Sequence, residues 1–235
     1  MVIVVTGATR GIGRGLADQF LSRGHQVVTC GTTGGDVVAD VTDREQVRKV
    51  WDTAVERHGR VDMWINNAGI TQSRLPLWEL PGDEARHVID VNLNGVVNGC
   101  AVALAGMAAQ GHGHVWNMEG LGSDGRTVPG LAVYGASKRA LTYLTKALAK
   151  EVPAGVSVGL LSPGMVVTDL LLRDADPGSS RVFGLLADRV ETVTPWLAEK
   201  AVERAKNGAH VRWLTGRKVL TRFALAPFTD RKVLP

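Results

Sequence analysis

The feature that most constrains this chain is a glycine-rich turn between its first apolar run and its first amphipathic segment. The opening VIVVTG is a continuous apolar run, typical of a strand buried on both faces of a sheet. Ile12, Leu16 and Phe20 then recur at helical spacing, and Gly24 stands where a helix C-terminus favours glycine. A strand joined to a helix in this way predicts the first half of a βαβ unit in a parallel sheet.

The turn itself, TGATRGIG, has the composition of an anion site. Gly7 permits the tight turn, and Gly11 and Gly13 let the backbone approach a pyrophosphate at the helix N-terminus. Free N–H groups and the helix dipole favour negative charge there. We therefore expect a nucleotide cofactor to contact the following residues: Gly7, Thr9, Arg10, Gly11, Ile12 and Gly13.

Strand-like and helical segments alternate along the rest of the chain. They include a helix that the capping box Thr42-Asp43-Arg44-Glu45 begins and a long helix over residues 83–111. This pattern predicts an α/β fold, a Rossmann-type doubly wound parallel sheet flanked by helices. We find no repeat or linker and expect a single domain over residues 1–235, with a substrate lid at about 170–209 and a basic C-terminal tail at about 212–235. Only GTTGGD separates the second and third strands, so no helix is expected between them.

The end of the second strand bears on cofactor choice. An acidic residue there would bind the adenosine ribose and repel a 2′-phosphate, but the strand runs into Cys30, Gly31, Thr32 and Thr33. Arg10 lies where it could meet a 2′-phosphate, and Thr32 is a candidate contact. These residues favour NADP(H) over NAD, although Asp36 is close enough to weaken the argument.

Tyr134 and Lys138 are the candidate catalytic pair. A spacing of four places them on one face of a helix. A nearby ammonium stabilises a phenolate, and we expect it to lower the phenol pKa toward a useful range. The pair could then exchange a proton with a carbonyl oxygen.

Several motifs occur together in a fixed order: TGATRGIG, ADVTD, NNAG, VNLNG, YGASK and SPGMVVTD. In order and spacing they resemble the short-chain dehydrogenase/reductase family over nearly the whole chain. The resemblance implies an NAD(P)-dependent oxidoreductase with Tyr134 as acid/base, Lys138 also holding the nicotinamide ribose, and Asn92 anchoring a water. It also implies the following cofactor contacts: Asp40, Val41, Asn67, Ala68, Gly69, Tyr134, Lys138, Pro163, Gly164 and Thr168.

One segment, NMEGLGS, departs from the family pattern Asn-x-Ser-Ser. The two serine positions counted from Asn117 fall on Glu119 and Gly120, and the stretch to Tyr134 is one residue longer than usual. Ser123 could supply the missing hydroxyl. A protonated Glu119 could instead donate to the carbonyl, as buried carboxylic acids can. A third possibility is that neither does so and the site is inactive.

Within the family, the stretches from Asn117 and Leu161 resemble the chlorophyll b reductase branch. This implies NADPH-dependent reduction of a carbonyl to an alcohol, and specifically of the formyl group of a chlorophyll b-type tetrapyrrole. Other hypotheses are a 3-oxoacyl-carrier-protein reductase, a general carbonyl reductase, and a non-enzymatic NADP-binding regulatory or scaffold protein. A hydrophobic lid from Leu170 to Leu186 and Trp78 in the substrate loop suit a bulky apolar substrate.

Charge and composition limit the partners. The net charge of the chain is +4, and the tail from Arg212 to the end carries +5. The residues before the tail therefore sum to −1, so general nucleic-acid binding is not expected. We interpret the tail as solvated or as an oligomer contact, with a membrane-surface contact as the alternative. No transmembrane segment is expected, because no apolar run reaches about 18 residues.

Location, assembly and metal binding are predicted less directly. A cytoplasmic location is predicted. The resemblance implies a homodimer or homotetramer built on the helices near 84–110 and 134–151. Cys30 and Cys100 are interpreted as buried reduced thiols, and His112 and His114 as residues of a surface loop, so no metal site is predicted.

Overall fold

The centre of the molecule is a parallel β-sheet. The computed structural model describes residues 1–173, 177–226, 231 and 233. Within them, seven strands pair in the order β3-β2-β1-β4-β5-β6-β9, every pair parallel. The strands are β1 Val2–Thr6, β2 Gln26–Gly31, β3 Val37–Val38, β4 Met63–Asn66, β5 Gly113–Met118, β6 Val156–Ser162 and β9 His210–Arg212; β7 Val166–Val167 and β8 Asp188–Arg189 pair separately. The predicted doubly wound parallel sheet is confirmed.

Helices cover both faces of the sheet. They are α1 Gly11–Ser22, α2 Arg44–His58, α3 Gly82–Ile89, α4 Gly95–Gln110, α5 Ala132–Glu151, α6 Asp169–Leu172, α7 Pro177–Leu186, α8 Val190–Glu203 and α9 Gly216–Leu225, with a 3₁₀ turn at Leu77–Glu79 and a π-helical turn at Asp90–Asn94. One apolar layer joins α2, α4 and α5 to the sheet and includes Trp64; the other joins α1 and α8 and includes Trp116. Alternate strand residues point into opposite layers, so apolar runs such as VIVVT are buried throughout.

The early part of the chain follows the sequence prediction with small changes. No helix separates β2 from β3, as expected. The cap of α2 is Asp43, whose carboxylate accepts from the N–H groups of Glu45 and Gln46, and not Thr42 of the predicted capping box. The predicted long helix of residues 83–111 is a continuous run of α3 and α4 through the π-helical turn.

The later part differs more. α8 packs on α1 with Val193 and Leu197 buried, so it belongs to the core layer and only residues before it remain available as a lid. The tail is not simply solvated: α9 forms within it, and Arg222 and Arg231 each bind the buried carboxylate of Asp188 at 2.7 Å. Phe228 and Lys232 of the tail lie outside the described residues.

The α3–α4 run also bears on membrane association. By length and composition alone, Gly82–Gln110 could cross a membrane, and this is the one such helix among the described residues. Half of its apolar window is buried inside the protein. A core helix passes the same test, so the run is weak support for a membrane span.

Burial tests three further predictions. Both cysteines are free and buried, as predicted, and burial raises the pKa of Cys30 to about 11 and that of Cys100 to about 12. His112 is half exposed, but the surface-loop prediction for His114 is wrong. His114 is the second residue of β5, is paired with both neighbouring strands and is 3% exposed.

Candidate active site

The candidate site lies at the carboxyl edge of the sheet. The strand order reverses between β1 and β4, and in open α/β sheets a ligand crevice forms outside the strand ends at such a point. Because the strands are parallel, the segments that follow β1, β4, β5 and β6 meet at one edge. These segments contain the turn at Gly7, Asn67–Gly69, Glu119–Ser123 and Pro163–Thr168.

The glycine turn has the geometry that an anion site requires. Gly7 and Gly11 have φ of 62° and 56°, the left-handed region that favours glycine. A Cβ on Gly13 would lie 2.4 Å from both the Asn67 amide nitrogen and the Gly7 carbonyl oxygen. No side chain caps the N-terminus of α1, and its first turn holds no acidic residue. These residues fit a pyrophosphate.

The end of β4 is bonded to this turn. The Asn67 side-chain amide donates to the carbonyls of Thr6 and Gly7 at 2.9 and 3.1 Å. The Thr6 hydroxyl accepts from the N–H groups of Asn67 and Ala68. Asn67 and Ala68 are therefore placed at the glycine turn, where the resemblance implies cofactor contacts.

At the adenosine end of the crevice, no acidic residue directly follows β2. Thr9 packs against Gly31, and Arg10 is exposed. Asp36 accepts from the Thr29 N–H and hydroxyl and pairs with Arg57 at 3.1 Å. Burial acts to raise the pKa of Asp36, but these bonds outweigh it and the pKa is lowered.

Two more residues of this end have partners in the chain. The Asp40 carboxylate accepts from the Thr42 N–H, and Val41 is buried against Gly95. A cavity of about 470 Å³ lies between α1 and residues 33–36. It adjoins the adenosine end and not Tyr134, so we do not take it as the substrate pocket.

Pro163, Gly164 and Thr168 follow β6 on the other side of the crevice. Gly164 has φ of 74° and packs against Leu214. Thr168 caps α6, and its methyl group would lie 3.4 Å from a Cβ on Gly11. The structure thus brings Thr168 to the glycine turn.

Tyr134, Lys138 and Asn92 are brought together and buried. The Lys138 ammonium lies 3.4 Å from the Met118 carbonyl, and a Cβ on Gly69 would be within 3.3 Å of Lys138 Nζ and Asn92 Oδ1. Asn92 lies in the π-helical turn, a feature frequent at functional sites. Its amide exchanges two hydrogen bonds with Ile70, fixing the segment after NNAG.

Burial dominates the acidity of the pair. It raises the pKa of Tyr134 to about 12, so burial outweighs the expected lowering of this pKa by the ammonium. Burial also lowers the pKa of Lys138 to about 8, against the opposing charge of Glu119. At neutral pH the phenol holds its proton and the amine is mostly charged, which suits proton donation.

The structure gives Ser123 and Glu119 other partners. The Ser123 hydroxyl accepts from the Gly120 N–H and donates to the Lys138 carbonyl, both at 3.2 Å. Glu119 is bonded to Thr142 and, at 2.6 Å, to His210. Within residues 1–173 neither side chain bonds to the Tyr134 hydroxyl, and both are hydrogen-bonded to neighbouring elements instead.

Gly120 is the residue next to the phenol. A Cβ at this position would lie 2.5 Å from the Tyr134 hydroxyl and 3.2 Å from Lys138 Cε. Gly120, one of the two positions where the family pattern has serine, therefore places backbone and no side chain beside the phenol. The loop is held against α5 because Gly122, at φ 98°, packs on Gly135.

Sequence reasoning missed three supporting residues. Gln72 is fully buried and accepts from the Tyr134 N–H at 2.8 Å, so it positions the start of the helix turn that carries the phenol. Thr142 and His210 hold Glu119. No local pattern marks Gln72 or His210, since each meets the site through long-range packing; Thr142, at helical spacing from Tyr134 and Lys138, could have been found.

Known proteins resemble this chain in sequence and in structure. Residues 1–176 match the family model described as short chain dehydrogenase. The chloroplastic chlorophyll(ide) b reductase NOL of Oryza sativa subsp. japonica is 34% identical over 98% of this chain and 76% of its own. The NADPH-dependent pterin aldehyde reductase of Arabidopsis thaliana is 32% identical over 85% of each chain. The solved 3-ketoacyl-(acyl-carrier-protein) reductase from Brucella melitensis, complexed with NADH, superposes with a TM-score of 0.80 at 26% identity, covering 92% of this chain and 98% of that one.

One prediction is overturned by these relatives. The chlorophyll(ide) b reductases that this chain resembles are chloroplastic, which points away from a cytoplasmic location, so the cytoplasmic prediction is wrong. Enzymes of different compartments share the same composition and motifs, so these features do not determine subcellular location.

Proposed function

Because the chain belongs to the short-chain dehydrogenase family and is an oxidoreductase, we propose that it reduces an aldehyde or ketone to an alcohol with NADPH as the hydride donor. The observation that carries this proposal is the buried Tyr134–Lys138 pair, beside Gly120 and Gly69 at the carboxyl edge of β4 and β5. The pair retains the groups needed for proton transfer even though the usual serine is absent.

The chain's own residues would handle the proton. A nicotinamide dinucleotide held along the glycine turn would supply a hydride for the carbonyl carbon. Tyr134, protonated at neutral pH, gives its proton to the carbonyl oxygen as the C–O double bond becomes a single bond. The Lys138 ammonium stabilises the phenolate that remains. Asn92 keeps the Ile70 segment, and with it Gly69, in position.

Three observations support NADP(H) over NAD(H). Arg10 is exposed at the start of α1, no acidic residue follows β2 directly, and Asp36 is occupied by Thr29 and Arg57. A similar protein is described as NADPH-dependent. Fluorescence titration should give tighter binding of NADPH than of NADH, and Arg10→Ala should reduce that difference. Tighter binding of NADH would reject the cofactor preference.

For the substrate, we propose a bulky apolar carbonyl compound, with the formyl group of a chlorophyll b-type tetrapyrrole first. Relatives described as chlorophyll(ide) b reductases support it. So do exposed apolar side chains on the predicted substrate loop and lid, namely Trp78 (85% exposed), Leu170 and Val182. A pterin aldehyde and a carrier-bound 3-ketoacyl group are the alternatives that other similar proteins suggest.

The test is a substrate panel. Purified protein is mixed with NADPH and a formyl tetrapyrrole, a pterin aldehyde, a 3-ketoacyl thioester, simple aldehydes or quinones, and loss of NADPH absorbance is followed with chromatography of the products. We expect turnover of the formyl tetrapyrrole to its hydroxymethyl product, with Tyr134→Phe as the inactive control. Turnover of another compound of the panel, and not of the formyl tetrapyrrole, would identify that compound as the substrate class instead. Tight NADPH binding with no turnover of any would reject carbonyl reduction.

We further propose a homodimer or homotetramer through α4 and α5. Their outer faces expose Val97 and Tyr143, the latter 79% exposed. Light scattering of the wild type and of Tyr143→Glu checks this, since a charge in an apolar interface should favour the monomer.

A further inference from the structure

Glu119 is an unusual residue for its position. Its side chain is 5% exposed and lies directly after β5, between the sheet and α5. Burying a carboxylate is costly unless it is paired and hydrogen-bonded. The partners of this carboxylate therefore indicate what it does.

Two elements hold the carboxylate. Thr142 of α5 donates its hydroxyl to Oε1 at 3.3 Å, and His210 of β9 meets Oε2 at 2.6 Å. Arg212 Nη2 lies 3.0 Å from His210 Nδ1. Because a guanidinium only donates and a carboxylate only accepts, the tautomer that satisfies both partners has Nδ1 accepting from Arg212 and Nε2 donating to Glu119. Arg212 Nε also lies within hydrogen-bond distance of the ring, 2.9 Å from Nε2.

The backbone on both sides of Glu119 is packed against Lys138. The residues on each side of Glu119 both touch this lysine: the Met118 carbonyl lies 3.4 Å from Nζ, and a Cβ on Gly120 would lie 3.1–3.2 Å from the lysine stem. Thr142, which binds Glu119, is one helical turn beyond Lys138 on the same face of α5. The Glu119 charge acts on Lys138 against its burial.

We propose that Glu119 is the buried counter-ion of Lys138, a positioning residue held by His210 and Thr142 that keeps the ammonium charged beneath Tyr134. The catalytic consequence of this role rests on the proposed function. The electrostatic coupling between Glu119 and Lys138 does not. In this role Glu119 acts through Lys138 and does not touch the substrate. The titratable or charged groups that face the pair are Tyr134 of α5 and, beyond Glu119, His210 and Arg212 of β9.

The direct test is an NMR titration of the protein without cofactor. Lysine carrying ¹³C at Cε is incorporated, and the Lys138 signal is identified by its loss in Lys138→Met. Glu119→Gln keeps the shape and removes the charge, so we expect the Lys138 midpoint to fall by about one pH unit. Glu151→Gln, an exposed carboxylate on the same helix, is the matched control and should leave the midpoint unchanged.

His210 provides the second pair of variants. His210→Phe removes the donor to the carboxylate and should also lower the Lys138 midpoint, whereas His210→Gln retains a donor and should restore it. These variants also keep the test open if Glu119→Gln folds poorly. An unshifted Lys138 midpoint in both Glu119→Gln and His210→Phe would falsify the proposal.

Kinetics separate this role from the alternatives. The alkaline limb of kcat/KM should move to lower pH in Glu119→Gln by the same amount, with an unchanged KM at pH about 6, below the Lys138 transition. Loss of about 10²–10³ in rate at every pH, with an unshifted lysine, would instead show a donor to the substrate. Absence of carbonyl reductase activity would reject the proposed function while leaving the NMR result to decide the coupling.

Discussion

The two ends of the crevice are built by different means. At the glycine-turn end, Gly7, Gly11 and Gly13 leave room for a ligand against bare backbone. At the tyrosine end, Ser123 and Glu119 are bonded to neighbouring elements, and Gly120 brings backbone up to the phenol. Backbone geometry tolerates little change, whereas a side chain can be reassigned when its neighbours change with it. The family pattern is therefore kept at one end and altered at the other.

The largest effect is expected from a substitution that changes the tyrosine end alone. Tyr134→Phe removes the proton donor and should lower kcat by about 10³. NADPH affinity should stay within a few fold, because the glycine turn is untouched. Steady-state kinetics and fluorescence titration check the two parts. A variant that kept its rate would remove Tyr134 from the mechanism.

Gly13→Ala addresses the glycine-turn end. Its methyl group would lie 2.4 Å from the Asn67 amide and the Gly7 carbonyl, so a loss of about 1–3 kcal/mol in the free energy of unfolding is expected. Chemical denaturation measures it, and NADPH affinity should fall as well. Gly184→Ala in α7, where a Cβ meets nothing within 4 Å, is the matched control and should not destabilise. Equal stability of the two variants would contradict the crowding argument.

The pH profile of reduction examines the tyrosine end without mutation. The pKa of Lys138 is lowered to about 8, so the ammonium is present below pH 8 and lost above it. The rate should therefore fall above pH 8, approaching tenfold per pH unit, whereas Tyr134, whose pKa is raised to about 12, stays protonated over this range and adds no alkaline limb of its own. A profile that stays flat to about pH 10 would show that the charge on Lys138 is not required.

The smallest effect is expected from Ser123→Ala. Its hydroxyl bonds the Gly120 N–H and the Lys138 carbonyl, so loss of roughly 1 kcal/mol in stability and a change of only a few fold in rate are expected. Thermal denaturation and kcat are measured together. A rate loss of about 10²–10³ at unchanged stability would make Ser123 the missing donor after all.

The sequence was most informative where a local pattern determines the structure. The run from β1 through the glycine turn to α1 could be predicted because burial, φ and helix spacing are all written in adjacent residues. The cap of α2 was displaced by one residue because Thr42 and Asp43 are both good caps and the backbone decides between them. His114 was misread because the glycines around it suggest a loop, while pairing with β4 and β6 makes it a strand residue.

Features that depend on distant partners could not be predicted. The roles of Ser123 and Glu119 depend on how their loop packs against α5 and β9, and neither contact is visible in NMEGLGS. The small β7–β8 sheet and α9 were missed for the same reason. Location is not a property of the fold at all, and the cytoplasmic prediction failed on that account.

The carboxylate of Asp188 has a practical consequence for anyone who handles this protein. Trp213, Arg222 and Arg231 all converge on it, at 2.6–2.7 Å. Trimming the chain before residue 222, or fusing a tag that displaces that stretch, would leave an interior anion without its cations. An expression design is therefore safer with the purification handle at the opposite end, and a loss of yield in shortened versions would report on this junction and not on catalysis.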